Sequence, residues 1–499
     1  MEAHTSIAPN QKTSKRPLVL ASIMLAMFLA AIEATIVSTA MPSIVAALGG
    51  FSLYSWVFSA YLLTNASTVL IFGKLSDLFG RKPIFLIGIS LFLTGSLLCG
   101  FATSMTTLIV FRFLQGIGAG ALMPIASTIV GDLYTKEERA QIQGYLSSVW
   151  GISAVTGPAL GGFFVDYLNW RYVFWMNLPL GVLAIIGVVW FFHENVEKKS
   201  HSIDFAGSAL LMIGISSLMV LLVEGGIGIP WQSPLAIGLL LIFGICLIGF
   251  YIQEKRALDP MMPFSIWEYR SITIANVTSL ITGMILIGVS SYLPAFVQGV
   301  MGMSATVAGF TLTTMSIGWP VSSMIAGRLL LKIGFRATSL IGGVALVVGG
   351  LFFFLLSPDK GPVWAAIGSF FIGIGMGMST TSFIVSIQST VDWKTRGIAT
   401  ASNMFMRSIG SAIGAAILGG VLNSVIQTTI EEKQLGESVT LDTVNQLLDK
   451  EGRANLSSST QVALKEALTL GLHQVYLGLL VLAVISLVLI LFLPKGEKT

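Results

Sequence analysis

Long runs of apolar residues, separated by short polar segments, recur along almost the whole chain. Each run is close to the roughly 20 residues that a helix needs to cross the hydrocarbon core of a bilayer. The runs predict fourteen membrane helices, at residues 18–40, 53–72, 84–102, 107–130, 140–163, 173–192, 205–223, 234–253, 271–294, 305–327, 337–356, 362–388, 398–422 and 472–493. The hydrophobic pattern therefore predicts an all-α polytopic membrane protein.

The composition agrees with this pattern and excludes a soluble multidomain enzyme. Charged residues make up 10% of the 499 residues, whereas an average soluble domain has about 25%. The net charge of +4 is spread over single basic residues, so we expect no nucleic-acid partner. Cys99 and Cys246 lie inside apolar runs, so we expect neither a disulfide framework nor a thiolate metal site.

Most basic residues lie in every second loop, on one side of the predicted helices. Of the 28 Lys and Arg residues, 20 fall on the side that holds both chain termini: Lys12, Lys15, Arg16, Lys74, Arg81, Lys82, Lys136, Arg139, Lys198, Lys199, Lys255, Arg256, Arg270, Arg328, Lys332, Arg336, Lys394, Arg396, Lys495 and Lys498. Because cytoplasmic loops carry an excess of Lys and Arg, both termini are predicted to be cytoplasmic.

The sequence between Gly73 and Lys82 recurs weakly between Gly327 and Arg336, 254 positions later. This repeat predicts two six-helix bundles with two helices inserted between them. The predicted domains are a cytoplasmic tail at 1–17, an N-terminal bundle at 18–192, a linker with the inserted helices at 193–270, a C-terminal bundle at 271–494 and a second cytoplasmic tail at 495–499. The C-terminal bundle includes an extracellular loop at 423–470, within which residues 441–448 and 462–470 are predicted to form short amphipathic helices. Parallel repeats with a site between them are a transporter architecture.

Four segments together resemble the major facilitator superfamily, and within it the fourteen-helix drug:proton antiporter branch (EmrB/QacA-type multidrug exporters). They are the loop from Gly73 to Pro83, the fourth-helix segment from Leu108 to Gly120, the fifth-helix segment from Gly151 to Gly162 and the first-helix segment from Ile32 to Pro42. Glu33 stands where this branch usually has Asp. The resemblance covers nearly the whole chain and is weakly specific for substrate.

The resemblance implies roles for two of these segments. The loop after the second helix is expected to act as a cytoplasmic gate, through Gly73, Asp77, Gly80, Arg81 and Lys82. Arg81 and Lys82 could pair there with acids such as Asp132 or Glu138. The fifth-helix segment is associated with antiport, through Gly157, Pro158, Gly161 and Gly162. Glycine allows a close approach of two helices, and proline allows a bend.

Glu33 and Arg112 are charged residues inside apolar runs, where a charge is costly and usually faces a partner or a cavity. At 1.5 Å per residue, Glu33 lies roughly 22 Å from the inner surface and Arg112 roughly 9 Å from the outer one. In a core of about 30 Å the two side chains could therefore meet. We expect Glu33 to carry the transported proton and Arg112 to control it, with a permanently paired structural acid as the alternative.

Other polar and aromatic residues in the predicted helices could line a central cavity. The candidates are Tyr61, Asn65, Gln115, Met123, Trp150, Trp319 and Arg407. The two tryptophans could form an aromatic wall that holds planar or cationic compounds, although a packing or lipid-facing role explains them as well. Arg407 has no intramembrane acid at a matching depth, so its role stays open between substrate binding, coupling and contact with backbone carbonyls.

We therefore expect a proton-coupled antiporter of the cytoplasmic membrane that exports amphipathic or cationic organic compounds. The alternative is a dedicated exporter of a single metabolite, antibiotic or siderophore. No phosphate-binding GxxxxGK[ST] loop occurs, which disfavours ATP-driven transport, and no metal-ligand cluster or catalytic constellation favours an enzyme. We expect no cofactor, and partners limited to small organic substrates, protons and lipid around a monomer.

Overall fold

A computed structural model describes residues 14–134, 136–194, 204–225, 229–257, 264–391, 396–433, 439–448 and 456–494. The first seven helices form the N-bundle: α1 Arg16–Leu48, α2 Tyr54–Phe79, α3 Arg81–Gly100, α4 Met105–Leu133, α5 Lys136–Tyr167, α6 Tyr172–Trp175 and α7 Asn177–Phe191. Two further helices form the inserted hairpin: α8 Phe205–Glu224 and α9 Pro234–Arg256. The hairpin packs through α8 against α2 of the N-bundle and against the C-bundle described next.

The remaining long helices form the C-bundle: α10 Arg270–Ala295, α11 Ala305–Phe354, α12 Gly361–Thr390, α13 Arg396–Glu432 and α15 Ser458–Leu491. A short helix, α14 Val444–Leu448, lies in the connection between α13 and α15. A π-helical turn at Phe296–Val300 follows α10, and one-turn 3-10 helices occupy Phe51–Leu53, Phe264–Glu268, Pro358–Lys360 and Leu441–Thr443. The bundles meet where α2 contacts α13, α5 contacts α11 and α1 contacts α10.

Within the described residues, 12 helices are long and apolar enough to cross a membrane. Two features separate this number from the fourteen predicted crossings. α11 has 50 residues, and Gly334 inside it has a non-helical backbone, so it contains the tenth and eleventh predicted helices in sequence. α5 has 32 residues and matches the fifth predicted helix, but it is not among the 12.

Several helices are longer than their apolar runs. α13 continues to Glu432 and α15 begins at Ser458, so both extend into the segment 423–470 that the sequence pattern assigns to a loop. The predicted short helix at 441–448 is present as a 3-10 turn followed by α14. The predicted helical segment at 462–470 is the beginning of α15.

The repeat seen in the sequence has a counterpart in the backbone. Gly80 lies between α2 and α3 with φ 97° and ψ 152°, and Gly334 lies inside α11 with φ 80° and ψ 172°. This region of backbone space is essentially restricted to glycine. The two glycines are 254 positions apart, as in the sequence repeat, and each reverses the chain between two adjacent helices.

Hydrogen bonds join the two bundles at one end, which we call the loop face because it carries α14. The opposite end, which carries Lys15 and Leu493, is called the terminal face. At the loop face the Tyr54 hydroxyl donates to the carbonyl of Ser291 at 2.5 Å, and Ser55 and Tyr292 share a hydrogen bond of 2.9 Å. Gln298 donates to the carbonyl of Thr39, Asn423 donates to that of Ser52, and Asp166 accepts from the backbone of Ala305 and Thr306. The loop face is therefore closed.

Candidate functional site

The predicted encounter of Glu33 and Arg112 is confirmed by the geometry. Nη1 of Arg112 donates to Oε1 of Glu33 at 2.5 Å, and the two side chains are 2% and 0% exposed. Nε of Arg112 donates to the carbonyl of Val57 at 3.2 Å, and the guanidinium lies 4.1 Å from the ring centre of Tyr61. The pair joins α1 to α4 inside the N-bundle and is sealed from solvent.

Three further side chains complete this network. Asn177 donates to Oε2 of Glu33 at 2.9 Å and to Oγ of Ser96 at 2.8 Å. Gln115 accepts from Arg112 at 2.8 Å and donates to Ser96 at 3.3 Å. Both oxygens of the Glu33 carboxylate therefore have a donor. We call Glu33, Arg112, Gln115, Ser96, Asn177 and Tyr61 the Glu33 network.

Glycines bring the helices of this network close enough for short side chains to meet. A Cβ added to Gly95 of α3 would lie 2.5 Å from the backbone nitrogen of Gln115. A Cβ on Gly116 of α4 would lie 2.5 Å from the carbonyl of Tyr61 on α2. Because small residues let membrane helices approach closely, α4 packs against α2 and α3 at the level of its polar side chains. The fourth-helix glycines thus position Arg112 and Gln115.

The chemistry open to this arrangement is the exchange of one proton at one carboxylate. When Glu33 is ionised, its charge is balanced by Arg112 and both of its oxygens accept hydrogen bonds. When Glu33 takes up a proton, the ion pair is lost and Arg112 keeps a charge balanced by no acid in the network. Because charges interact strongly in an interior of low dielectric constant, protonation and the position of Arg112 are linked.

Of the other candidates in the N-bundle, Gln115 and Tyr61 belong to the Glu33 network, whereas Asn65, Met123 and Trp150 do not. Gln115 is fully buried within the network, and the ring of Tyr61 stacks on the guanidinium of Arg112. Asn65 and Met123 are partly exposed. Trp150 on α5 is 48% exposed.

The two C-bundle candidates meet each other. The Arg407 guanidinium on α13 lies 5.9 Å from the ring centre of Trp319 on α11, and both side chains are partly buried. Among the described residues, Arg407 makes no ion pair and its side chain makes no hydrogen bond.

The predicted gating loop lies at the terminal face. Nε of Arg81 is 2.9 Å from Oδ2 of Asp132, as the sequence suggested, but this pair joins α3 to α4 within the N-bundle. Lys82 donates to the carbonyls of Val189 and Phe192. Glu194 accepts from the backbone nitrogens of Arg81 and Lys82, both at 2.9 Å. The side chains of Asp77 and Glu138 lie outside the described part, and Gly73 has open space around its Cα.

The predicted antiporter motif lies where α5 packs against α1 and α11. A Cβ on Gly157 would lie 2.0 Å from Oγ1 of Thr35, and one on Gly161 would lie 2.9 Å from the carbonyl of Ile36. Gly162 faces the other bundle, where a Cβ would lie 2.5 Å from Cα of Thr306. The carbonyl of Pro158 lies similarly close to Gly309 of α11. The motif therefore brings the two bundles into backbone contact at the loop face.

Sequence reasoning missed Asn177, Ser96 and Glu194. Asn177 and Ser96 are polar residues at the level of Glu33, but small polar residues occur in many membrane helices and do not stand out. Asn177 begins α7 directly after an aromatic turn and is fully buried. The signal available in the sequence is an amide at the start of an apolar helix. Glu194 follows the end of α7, and an acidic residue beside a polar loop does not stand out in a sequence.

The sequence matches a known protein family and several named relatives. The family model "Major Facilitator Superfamily" matches residues 23–415. "Multidrug resistance protein 3" of Bacillus subtilis is 34% identical over 499 residues, with 97% of this chain and 96% of the relative covered. "Multidrug transporter protein MdtP" of the same organism is 37% identical over 403 residues, covering 81% of this chain and 74% of the relative.

Solved structures show the same fold at low identity. The inward-facing, unoccupied structure of a bacterial homolog to the human lysosomal transporter Spinster has a TM-score of 0.66 and 17% identity, covering 96% of each chain. A D-xylose–proton symporter has a TM-score of 0.62 and 14% identity, covering 97% of this chain and all of that one. The family model and the B. subtilis relatives point to a multi-pass membrane transporter and not to an enzyme. The chain belongs to the Major Facilitator Superfamily.

Proposed function

We propose that this protein is a proton-coupled antiporter that exports amphipathic or cationic organic compounds across the cytoplasmic membrane. The observation that carries the proposal is the sealed ion pair of Glu33 and Arg112 in the N-bundle. An acid inside a membrane bundle marks an ion or proton path by default. The names of the B. subtilis relatives, a multidrug transporter and a multidrug resistance protein, support small organic substrates.

Protonation of Glu33 is the proposed coupling step. It removes the acidic partner of Arg112, while the carbonyl of Val57 and the amide oxygen of Gln115 still accept from the guanidinium. Arg112 then carries an uncompensated charge, which favours a different packing of α1 and α4 or a different hydration of the site. Proton and substrate need not touch, because each binds better to one of two arrangements of the bundles.

We further propose that the chain crosses the membrane fourteen times with both termini in the cytoplasm. α11 then crosses twice, turning at Gly334, and α5 crosses once despite its polar composition. The terminal face carries Arg81, Lys82 and Arg270, which suits the cytoplasmic side. The closed loop face then faces outward.

Transport into inverted membrane vesicles with an imposed proton gradient tests the function. Ethidium and chemically unrelated organic cations are the probes, and wild type is compared with Glu33→Gln. We expect gradient-driven uptake by wild type and its loss in Glu33→Gln, because glutamine keeps hydrogen-bonding capacity but cannot exchange a proton. Glu224→Gln is the control, because Glu224 is an acid at the loop-face end of α8, where it accepts from Trp56.

Gradient-driven uptake by Glu33→Gln at the wild-type rate would reject proton coupling through this residue. Uptake that needs ATP and no gradient would reject the whole proposal. Transport of one compound alone would favour a dedicated exporter over a multidrug one.

A further inference from the structure

Arg407 is a membrane-embedded cation on a helix face that does not serve the contact between α13 and α2. Phe405, Ile409, Ala412 and Ala416 of α13 form one buried cluster with α2 and α8. At 100° per residue, Arg407 lies on the opposite side of α13 from these residues. Its near neighbours on that side, Gly410 and Ser411, contact α10 inside the C-bundle. The guanidinium is therefore directed into the C-bundle, toward Trp319.

This cation has no acidic partner in the described part of the protein. Arg112 has a carboxylate, an amide oxygen, a carbonyl and an aromatic ring as neighbours, whereas the contact of the Arg407 guanidinium within the described residues is the ring of Trp319. Glu33 cannot neutralise it, because Glu33 is bound to Arg112 in the other bundle. A charge left within a membrane bundle is costly without a partner or water. The five N–H groups of a guanidinium match a carboxylate well, so an anion is the partner that it lacks.

We propose that Arg407 and Trp319 form a subsite for the acidic group of aromatic, anionic amphipaths. Arg407 binds the carboxylate or sulfonate, and Trp319 packs against the ring beside it. The inference rests on the proposed export of small organic compounds and extends their class to anions.

Equilibrium binding to the purified full-length protein tests this subsite. The probes are naphthalene-1-acetate and its neutral amide, naphthalene-1-acetamide, which differ in charge and scarcely in shape. A non-ionic detergent is used, so that no anionic lipid headgroup competes for Arg407. We expect wild type to prefer the acid, and Arg407→Gln to bind the acid about ten- to a hundredfold more weakly, the effect of losing one charged hydrogen bond. Binding of the amide should change little, which also shows that the variant is folded.

Two variants keep the test sharp if Arg407→Gln does not fold. Arg407→Lys keeps the charge and should keep the preference for the acid. Arg270→Gln removes an exposed basic residue at the start of α10 and should leave both affinities unchanged. Trp319→Leu removes the ring and should weaken the acid and the amide together.

Equal affinity of wild type for acid and amide, no binding of the acid, or an equal loss of both probes in Arg407→Gln would overturn the inference. None of these results touches proton coupling, which is measured by transport and depends on Glu33. Loss of transport coupling with the acid preference intact would reject the antiporter and leave the subsite standing.

Discussion

Arg112 in the N-bundle is buried and Arg407 in the C-bundle is partly buried, and the surroundings of the two arginines differ. Arg112 is enclosed by the Glu33 network. Its Nε atom donates to the carbonyl of Val57, and its Nη1 atom donates to Glu33 and Gln115. Arg407 contacts an aromatic ring and no acid of the described residues. A cation that the protein neutralises is suited to coupling, whereas one left without an acid is suited to binding something from outside.

The largest expected effect separates the two arginines by stability. Arg112→Gln leaves the buried Glu33 carboxylate without its cation, and such a loss costs about 3–5 kcal/mol in the free energy of unfolding. Arg407→Gln removes a charge that has no acidic partner, so the free energy of unfolding should stay equal or rise. Titration with sodium dodecyl sulfate in mixed micelles measures both. Equal destabilisation by the two substitutions would show that the surroundings of the arginines are energetically alike, against the comparison.

A smaller effect tests how far the two bundles share one backbone design. Gly80→Ala and Gly334→Ala each place a Cβ on a backbone conformation that essentially only glycine adopts, so each should cost about 1–3 kcal/mol. Gly73→Ala and Gly327→Ala are matched controls, because both positions are helical and have open space where the Cβ would lie.

Similar losses in the free energy of unfolding at Gly80 and Gly334, with neither control destabilised, would mean that the two bundles share this turn. The bundles would then differ in the surroundings of their buried charges and not in this part of the backbone. A loss at one glycine only, measured by the same titration, would contradict the structural repeat.

The smallest effect concerns the hydroxyl groups near the junction of the bundles. Tyr292 of α10 shares a hydrogen bond with Ser55 of α2 and donates to the carbonyl of Ala415. Tyr292→Phe should therefore cost about 0.5–1.5 kcal/mol. Tyr476→Phe is the control, because the buried Tyr476 hydroxyl has no hydrogen-bond partner among the described residues. A larger loss for Tyr476 than for Tyr292 would contradict the hydrogen bonds assigned at the loop face.

Sequence reasoning reached the charged parts of the site and not its neutral parts. Glu33, Arg112 and Arg407 stand out because charges are rare in apolar runs, and helix depth alone brought the first two to the same level. Asn177 and Ser96 meet Glu33 only through the packing of α3 and α7 against α1, which hydropathy does not encode.

The fold, too, could be predicted only in part from the sequence. Apolar runs locate the helices, but they end before α13 and α15 do, because a helix that leaves the bilayer continues with polar residues. The choice between a cavity-facing and a lipid-facing Trp150 also depends on the rotation of α5, which the sequence leaves open.

The short helix α14 has a mechanical consequence for transport. Its residues Val444 and Leu447 are buried, and next to it Asp442 accepts from Ser52 of the N-bundle at 3.5 Å. Chain connectivity ties both ends of this segment to C-bundle helices, so it must swing with that bundle whenever the loop face parts. It therefore acts as a latch, which apolar packing against α1 and the hydrogen bond between Ser52 and Asp442 hold on the N-bundle. An antibody fragment that holds this latch against the N-bundle should therefore keep the loop face closed, without reaching either arginine.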